Sequence, residues 1–451
     1  MSKRPLSVGA APRDCRRARP VPAGLRPANS NRSTCQVRPA AVNANRWETT
    51  GKTVRPVNAD TPTADPTTKA SGLAVAGLFF VNGLVFSNWI PRIPDVRDRL
   101  GMDNGGLGAT LIGGGLGGII GSLLVARFLR RLGSRRLVLM AATALAVLLP
   151  LVALAPSPLA LVVVLTSLGF CDVLDDMAMN TQGTIVQGRL SRSIMQRLHA
   201  AWSCGAACGA ATGALASAYG VGVGVHLGIV AAVLLGVIAF VRPHLVRGDP
   251  TVTDAALVND AKRPRRFSPV VAAMVVMAVG VAFAEATPSD WSAVTMRDVF
   301  SFNAAGVATV VFAASMLVAR LFGDHLVDRL GPQRMLDAAL GVTVAGFALI
   351  VVAPTAPVAL VGFSVCGLGV SVMFPQLYAM AATLPGAATG SGLGAMGIGQ
   401  RVGFLAAPLL VGTISDWLSL RWSFAVVAAI VLAAILSART VLRGSIGRAA
   451  A

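Results

Sequence analysis

From Leu137 to Cys171 the sequence runs without a single charged side chain. A second run, Ala200 to Val241, contains no Asp, Glu, Lys or Arg, and only His226 there can carry a positive charge. Each run exceeds the roughly 20 residues a helix needs to cross a bilayer. Inside hydrocarbon every backbone donor and acceptor must be satisfied within the protein, so a continuous apolar run of this length folds as helix. The period-two alternation of a membrane barrel is absent. Composition agrees, because charged residues make up 13% of the chain against about 25% in soluble domains.

Twelve stretches qualify as spans: 73–91, 105–127, 137–155, 158–181, 199–219, 221–241, 269–289, 303–323, 335–353, 356–379, 389–414 and 421–441. Prolines punctuate several ends, among them Pro91, Pro158, Pro269 and Pro357. The expected architecture is an all-α integral membrane protein of twelve transmembrane helices in two six-helix halves. The divisions are a basic tail (1–70), a first bundle (71–241), a linker (242–268), a second bundle (269–441) and a short tail (442–451).

The net charge of +19 suggests nucleic acid until it is mapped. The basic tail alone carries 13 Lys/Arg against 4 acids, a surplus of 13 − 4 = 9. Most of the remaining arginines fall in alternate loops, such as Arg127, Arg130, Arg131, Arg135 and Arg136, and Arg329 and Arg334. That bias places both termini in the cytoplasm, by the positive-inside rule. No zinc spacing or aromatic-basic interleaving points to nucleic acid. The tail is rich in Arg, Pro, Ala and Thr and is expected to be disordered. It reads as an over-extended gene start in preference to an organelle transit peptide.

Six cysteines form neither a disulfide framework nor a CxxC metal motif. Gly-rich stretches such as "GGLGATLIGGGLGGIIG" let helices approach closely. No Gly-Lys-[Ser/Thr] follows them, so no nucleotide-binding loop is indicated. No cofactor and no metal are expected.

The chain repeats itself at an offset of about half its length. "FSNWIPRIPDVRDRLG" from Phe86 aligns with "PSDWSAVTMRDVFS" from Pro288, pairing Trp89 with Trp291 and Arg97-Asp98 with Arg297-Asp298. "RFLRRLGSRR" (Arg127–Arg136) aligns with "HLVDRLGPQR" (His325–Arg334), bringing Gly133 onto Gly331. Two related halves around a central site near the midplane are a transporter organisation.

The second of those loops resembles the loop motif of the major facilitator superfamily at Asp328, Arg329, Gly331 and Arg334. It departs at the first position, where Asp324 stands. The first copy keeps Gly133, Arg135 and Arg136 but has Arg130 where the family has aspartate. "NWIPRIPDVRDRLG", "DDMAMNTQG", "QRLHAAWSCGA" and "SDWSAV" resemble the MosC-like branch of that family. The resemblance covers about residues 72 to 440 and implies a secondary transporter without naming a substrate.

Ionisable groups within apolar spans are the site candidates, because an aspartate at a helix centre costs at least ~2.5 kcal/mol to insert. Asp172, Asp175 and Asp176 stand at i, i+3 and i+4, on one side of a helix, with Asn180 one turn further. At ~1.5 Å per residue from Pro158, Asp172 lies ~21 Å into a ~30 Å core. It is expected to be a proton or substrate ligand, or a structural partner. Asp175 and Asp176 lie nearer the inner surface, where pairing with Arg130, Arg131 or Arg197 makes a cytoplasmic gate. Asn180, Asp328, Arg329 and Arg334 belong to the same expected gate. Glu285 is a second buried acid and Arg401 the deepest cation, able to neutralise an acid or hold a substrate anion. Asn82 and Gln400 supply polar contacts or hydrogen-bond between helices. Trp89, Asp290 and Trp291 flank the outer mouth, unless the tryptophans are interface anchors. Arg320 is expected to snorkel or to brace the loop motif, and His199 to be a hydrogen-bonded structural residue in preference to a proton relay.

The expected function is alternating access for a small molecule, coupled to protons, in the inner membrane. An uncoupled facilitator is the alternative. From another class, a membrane sensor or membrane-embedded enzyme is weighed against it. An enzyme lacks its nucleophile-base constellation here, so no catalytic residues are named. The expected partners are a small-molecule substrate, protons and the lipid bilayer, without nucleic acid, and the chain is expected to act as a monomer.

Overall fold

The computed structural model describes residues 66–190, 194–247, 269–383 and 390–450. Most of the expected disordered tail and linker lie outside the described residues. So do the side chains of Asp324, Asp328 and positions from 442 onward.

Among the described residues the chain is helical, with no strand. In order, α1 is Pro66–Trp89, α2 Ile93–Arg99, α3 Asn104–Leu148, α4 Pro158–Leu190, α5 Met195–Ala218 and α6 Val223–Val241. In the second half come α7 Pro269–Asp298, α8 Val307–Leu330, α9 Pro332–Val352, α10 Ala356–Val370, α11 Met373–Thr383, α12 Gly390–Trp417 and α13 Leu420–Ala450. α3 contains two spans meeting at Gly133, and α10 and α11 are one span interrupted at Ser371–Val372. Twelve spans in two pseudo-symmetric halves result. The face carrying α2 is called outer here, after the orientation that the arginine bias predicts.

Three features depart from the expected boundaries. Pro91 and Pro94 end the first span at Trp89. Each lacks an N–H and crowds the preceding turn, so the chain makes a 3-10 turn and then α2. α4 and α7 run beyond the predicted spans, to Leu190 and Asp298. A helix begun in lipid has no reason to stop where its side chains turn polar. The break in α10–α11 lies just before Pro375.

The repeat is visible in the backbone. Gly133 has φ 72° and ψ 159°, and its partner in the alignment, Gly331, has φ 77° and ψ 158°. That region of backbone space is essentially restricted to glycine. Each glycine therefore lets the chain reverse between two helices in the same way.

Close helix packing follows from small residues. Gly113, Gly117 and Gly121 form a stripe along α3. A methyl group at Gly117 would collide with the Thr166 carbonyl oxygen of α4. In the same manner Gly205 meets Phe80 of α1, and Gly399 meets Val275 of α7. Trp291, Phe347, Phe363 and Phe424 fill the interior, while Leu123, Leu159 and Phe240 stand on the outside, as a lipid solvent requires.

Candidate functional site

The aspartates of α4 are held by one amide from α1. The Asn82 side-chain nitrogen donates to Asp172 Oδ1 at 3.0 Å and to Asp175 Oδ2 at 3.1 Å. Its oxygen accepts from the Trp202 indole N–H of α5 at 2.8 Å. A primary amide has two donor hydrogens and one acceptor oxygen, so this Asn has every group engaged. Asn82 is 5% exposed and Asp175 fully buried, and the second Asp175 oxygen has no partner.

Asp176 separates from the other two. Residues three and four positions along from Asp172 stand about 100° apart from each other on a 3.6-residue helix. Asp175 therefore turns into the first half, while Asp176 is exposed and accepts from Asn180 at 3.0 Å. Among the described residues, no cation lies within ion-pair distance of any of the three; the ion pairs that exist lie elsewhere.

The second half supplies the facing charges. Arg401 of α12 donates to the Gly118 carbonyl of α3 at 3.2 Å, so it crosses between the halves. It is within electrostatic reach of Asp172 and Asp176 without pairing to either. Neighbouring Gln400 accepts from the Tyr378 hydroxyl at 2.9 Å, and Phe374 stacks on Phe404 with centroids 6.2 Å apart. Half-buried Glu285 of α7 interacts with Arg320 of α8, whose Nε points to the Ser371 carbonyl at the α10–α11 break. His199 of α5 is within electrostatic reach of Asp176 and Arg320 and edges onto Phe79 at 5.3 Å. Across the halves, Asp172 and Asp176 of α4 and Arg401 stand within electrostatic reach without an ion pair among the described residues.

Of the expected gate residues, Arg130, Arg131, Arg329 and Arg334 are exposed, and none makes an ion pair among the described residues. The Asp328 side chain lies outside the described residues. At the other end, Trp89 and Trp291 are buried, both with indole N–H groups lacking a partner. Asp290 beside them is half-buried.

Sequence reasoning missed the outer face. Arg97 of α2 donates to Asp298, at 2.8 Å through one of its two contacts, and to Asp98 at 2.8 Å. Arg297 reaches Asp98 at 3.1 Å and also binds Asp95. Asp95 in turn accepts from Arg92 at 2.6 Å and from Ser217 at 3.1 Å. Asp416 of α12 accepts from the backbone N–H groups of Gly105 at 2.7 Å and Asn104 at 3.2 Å. The signal was the repeated Arg-Asp dipeptide, aligned in the sequence but given no role.

The family profile described as Major Facilitator Superfamily matches residues 75–302 and 270–447. An uncharacterised MFS-type transporter of Yersinia pestis is 29% identical over 371 residues, covering 81% of this chain and 94% of that protein. The membrane protein MosC of Rhizobium meliloti is 24% identical, covering 78% and 85%. In fold, a point mutant of the nucleoside transporter NupG is similar with a TM-score of 0.68 at 14% identity, covering 82% of this chain and 99% of that one. A D-xylose-proton symporter is similar with a TM-score of 0.64 at 16% identity, covering 83% and 96%.

Proposed function

This chain belongs to the major facilitator superfamily, and from that premise we propose that it is a proton-coupled secondary transporter working by alternating access. The observation that carries the reading is the Asn82–Asp172–Asp175 cluster, deep in the membrane and without a cation partner among the described residues. Carboxylates are expensive there and are kept where they serve a pathway for protons, ions or substrate. Asp172 borders the space between the halves and takes up a proton from one face and releases it to the other. Arg401, with one hydrogen bond to a carbonyl and no carboxylate within ion-pair range among the described residues, holds an anionic or strongly polar group of the cargo. Glu285 with Arg320 is a second place where charge can be exchanged. The protein sits in a bacterial cytoplasmic membrane with both termini inside, by the arginine bias. It acts as a monomer and catalyses no covalent reaction.

A thermal-shift screen against sugars, polyols, amino acids and drugs identifies a cargo. Uptake into proteoliposomes is then measured with and without a pH gradient. Asp172→Asn abolishes flux driven by the gradient. Full gradient-driven flux in that variant removes Asp172 from the mechanism. Flux indifferent to pH in the parent protein marks an uncoupled facilitator, in which Asn82 clamps the acids for structure alone.

A further inference from the structure

We infer that the duplicated Arg-Asp dipeptides and Asp416 form the outer gate, and that this gate holds the resting protein closed outside and open toward the inner face. The inference rests on the alternating-access reading, but not on proton coupling or on any cargo.

The argument begins with symmetry. When two like halves meet about a two-fold axis, a residue near the axis contacts its partner's counterpart reciprocally. An Arg-Asp pair at equivalent positions then gives each arginine the other half's aspartate. That is the arrangement found: Arg97 binds Asp298, and Arg297 binds Asp98. Arg97 is only 11% exposed and Asp298 27%, while Asp98 stands open to solvent at 51%. Asp95 joins α5, α7 and the 3-10 turn after α1 through Ser217, Arg297 and Arg92.

Asp416 adds a different contact. The first turn of a helix presents unpaired N–H groups and a partial positive charge, which a carboxylate satisfies. α3 already has its own cap, Asp103, which accepts from Gly106 at 2.7 Å. Asp416, from the opposite half, takes the first two N–H groups of the helix, those of Asn104 and Gly105. Below it the two backbones touch. A methyl group at Gly108 would collide with the Pro408 carbonyl, and one at Gly412 with the Asn104 carbonyl. On the symmetry-related seam, a methyl at Gly306 would press on Ala214 and Pro91 at 2.9 Å. Side chains latch the outer face and glycines let it shut.

The inner face has no counterpart among the described residues. His199 of the first half is within electrostatic reach of Arg320 of the second, and Asp176 of Arg401, yet none of the four forms an ion pair among the described residues. The two ends are thus unequal among the described residues; that inequality biases the resting state, and loss of the latch moves the bias.

Hydrogen exchange of the purified full chain, read by mass spectrometry, tests this. In Asp416→Asn and in the double variant Arg97→Gln/Arg297→Gln, peptides covering residues 89–108 and 288–306 exchange about tenfold faster. Peptides at the inner ends of α4, α5 and α8 exchange more slowly, because opening one face closes the other. The charge exchange Arg97→Asp/Asp298→Arg restores most of the outer protection lost in Arg97→Asp alone. Unchanged outer exchange in both the Asp416→Asn and double variants overturns the inference. Faster exchange at both faces without inner slowing also overturns it, since that is loosening and not a switch. If the double variant unfolds globally, Asp416→Asn and the charge exchange decide alone.

Discussion

Replacing Asn82 with leucine keeps the number and branching of side-chain heavy atoms and removes every hydrogen bond the amide makes. Three bonds are lost, to Asp172, Asp175 and Trp202. Interhelical hydrogen bonds in membranes contribute on average ~0.6 and at most ~1.7 kcal/mol each. The expected destabilisation is therefore roughly 2–5 kcal/mol, toward the upper end because Asp175 is left with no partner at all. Thermal unfolding in detergent, followed by the reaction of buried Cys366 with a thiol-reactive dye in a background whose other five cysteines are replaced by alanine, measures it. The cause is isolated by repeating the change in an Asp175→Leu background. Removing both members of a buried polar pair is far milder than stranding one of them. The second leucine is thus expected to cost less than the first did, with a coupling of about 0.5–3 kcal/mol. An Asn82→Leu protein that unfolds with its parent refutes the reasoning. So does a penalty of the same size in both backgrounds.

The remaining expectations concern the backbone and the outer face. Gly331→Ala lowers the unfolding midpoint, since the positive φ at that glycine costs a side chain about 1–3 kcal/mol. Gly341→Ala, helical and equally free of neighbours, leaves the midpoint level or raises it; equal effects at the two sites defeat the argument. The Asp95 carboxyl, beyond the end of α1, is pushed up by burial, but Arg297 and Arg92 outweigh this and hold its pKa below 3.8. A group with a lowered pKa contributes its stability above the ordinary value and loses it only as pH falls through the lowered one. The protection that Asp95 gives the outer face therefore persists from pH 7.5 to 5.5 once intrinsic exchange is corrected. Loosening at pH 5.5 contradicts this.

Much of the fold was legible because lipid imposes simple rules. An apolar run long enough to cross a bilayer has one structural solution, and twelve such runs mark the spans. Gly133 and Gly331 could be aligned by eye, and their matching backbone angles follow from that alignment. Partners were harder to read. Helical spacing places Asp172, Asp175 and Asp176 on one side of α4, but it does not say which neighbour each meets. The division between Asp175, sealed against Asn82, and the exposed Asp176 depends on how α1 and α5 pack beside α4. Trp202 went unnoticed because one indole in an apolar helix resembles any other until its N–H has an acceptor.

The outer gate was missed for a different reason. Arg97 and Asp298 are 201 residues apart, and both read locally as polar ends of helices at a water interface. Nothing in either segment distinguishes a solvated charge from a latched one. Only the repeat does so. A charged dipeptide present once could face water anywhere on the rim. Present twice at equivalent places, with opposite signs adjacent, it becomes self-complementary about the axis relating the halves. Internal duplication thus carries tertiary information that composition and periodicity do not. Where two copies of a half each hold a charge of either sign at the same position, a contact between the copies is the first arrangement to examine.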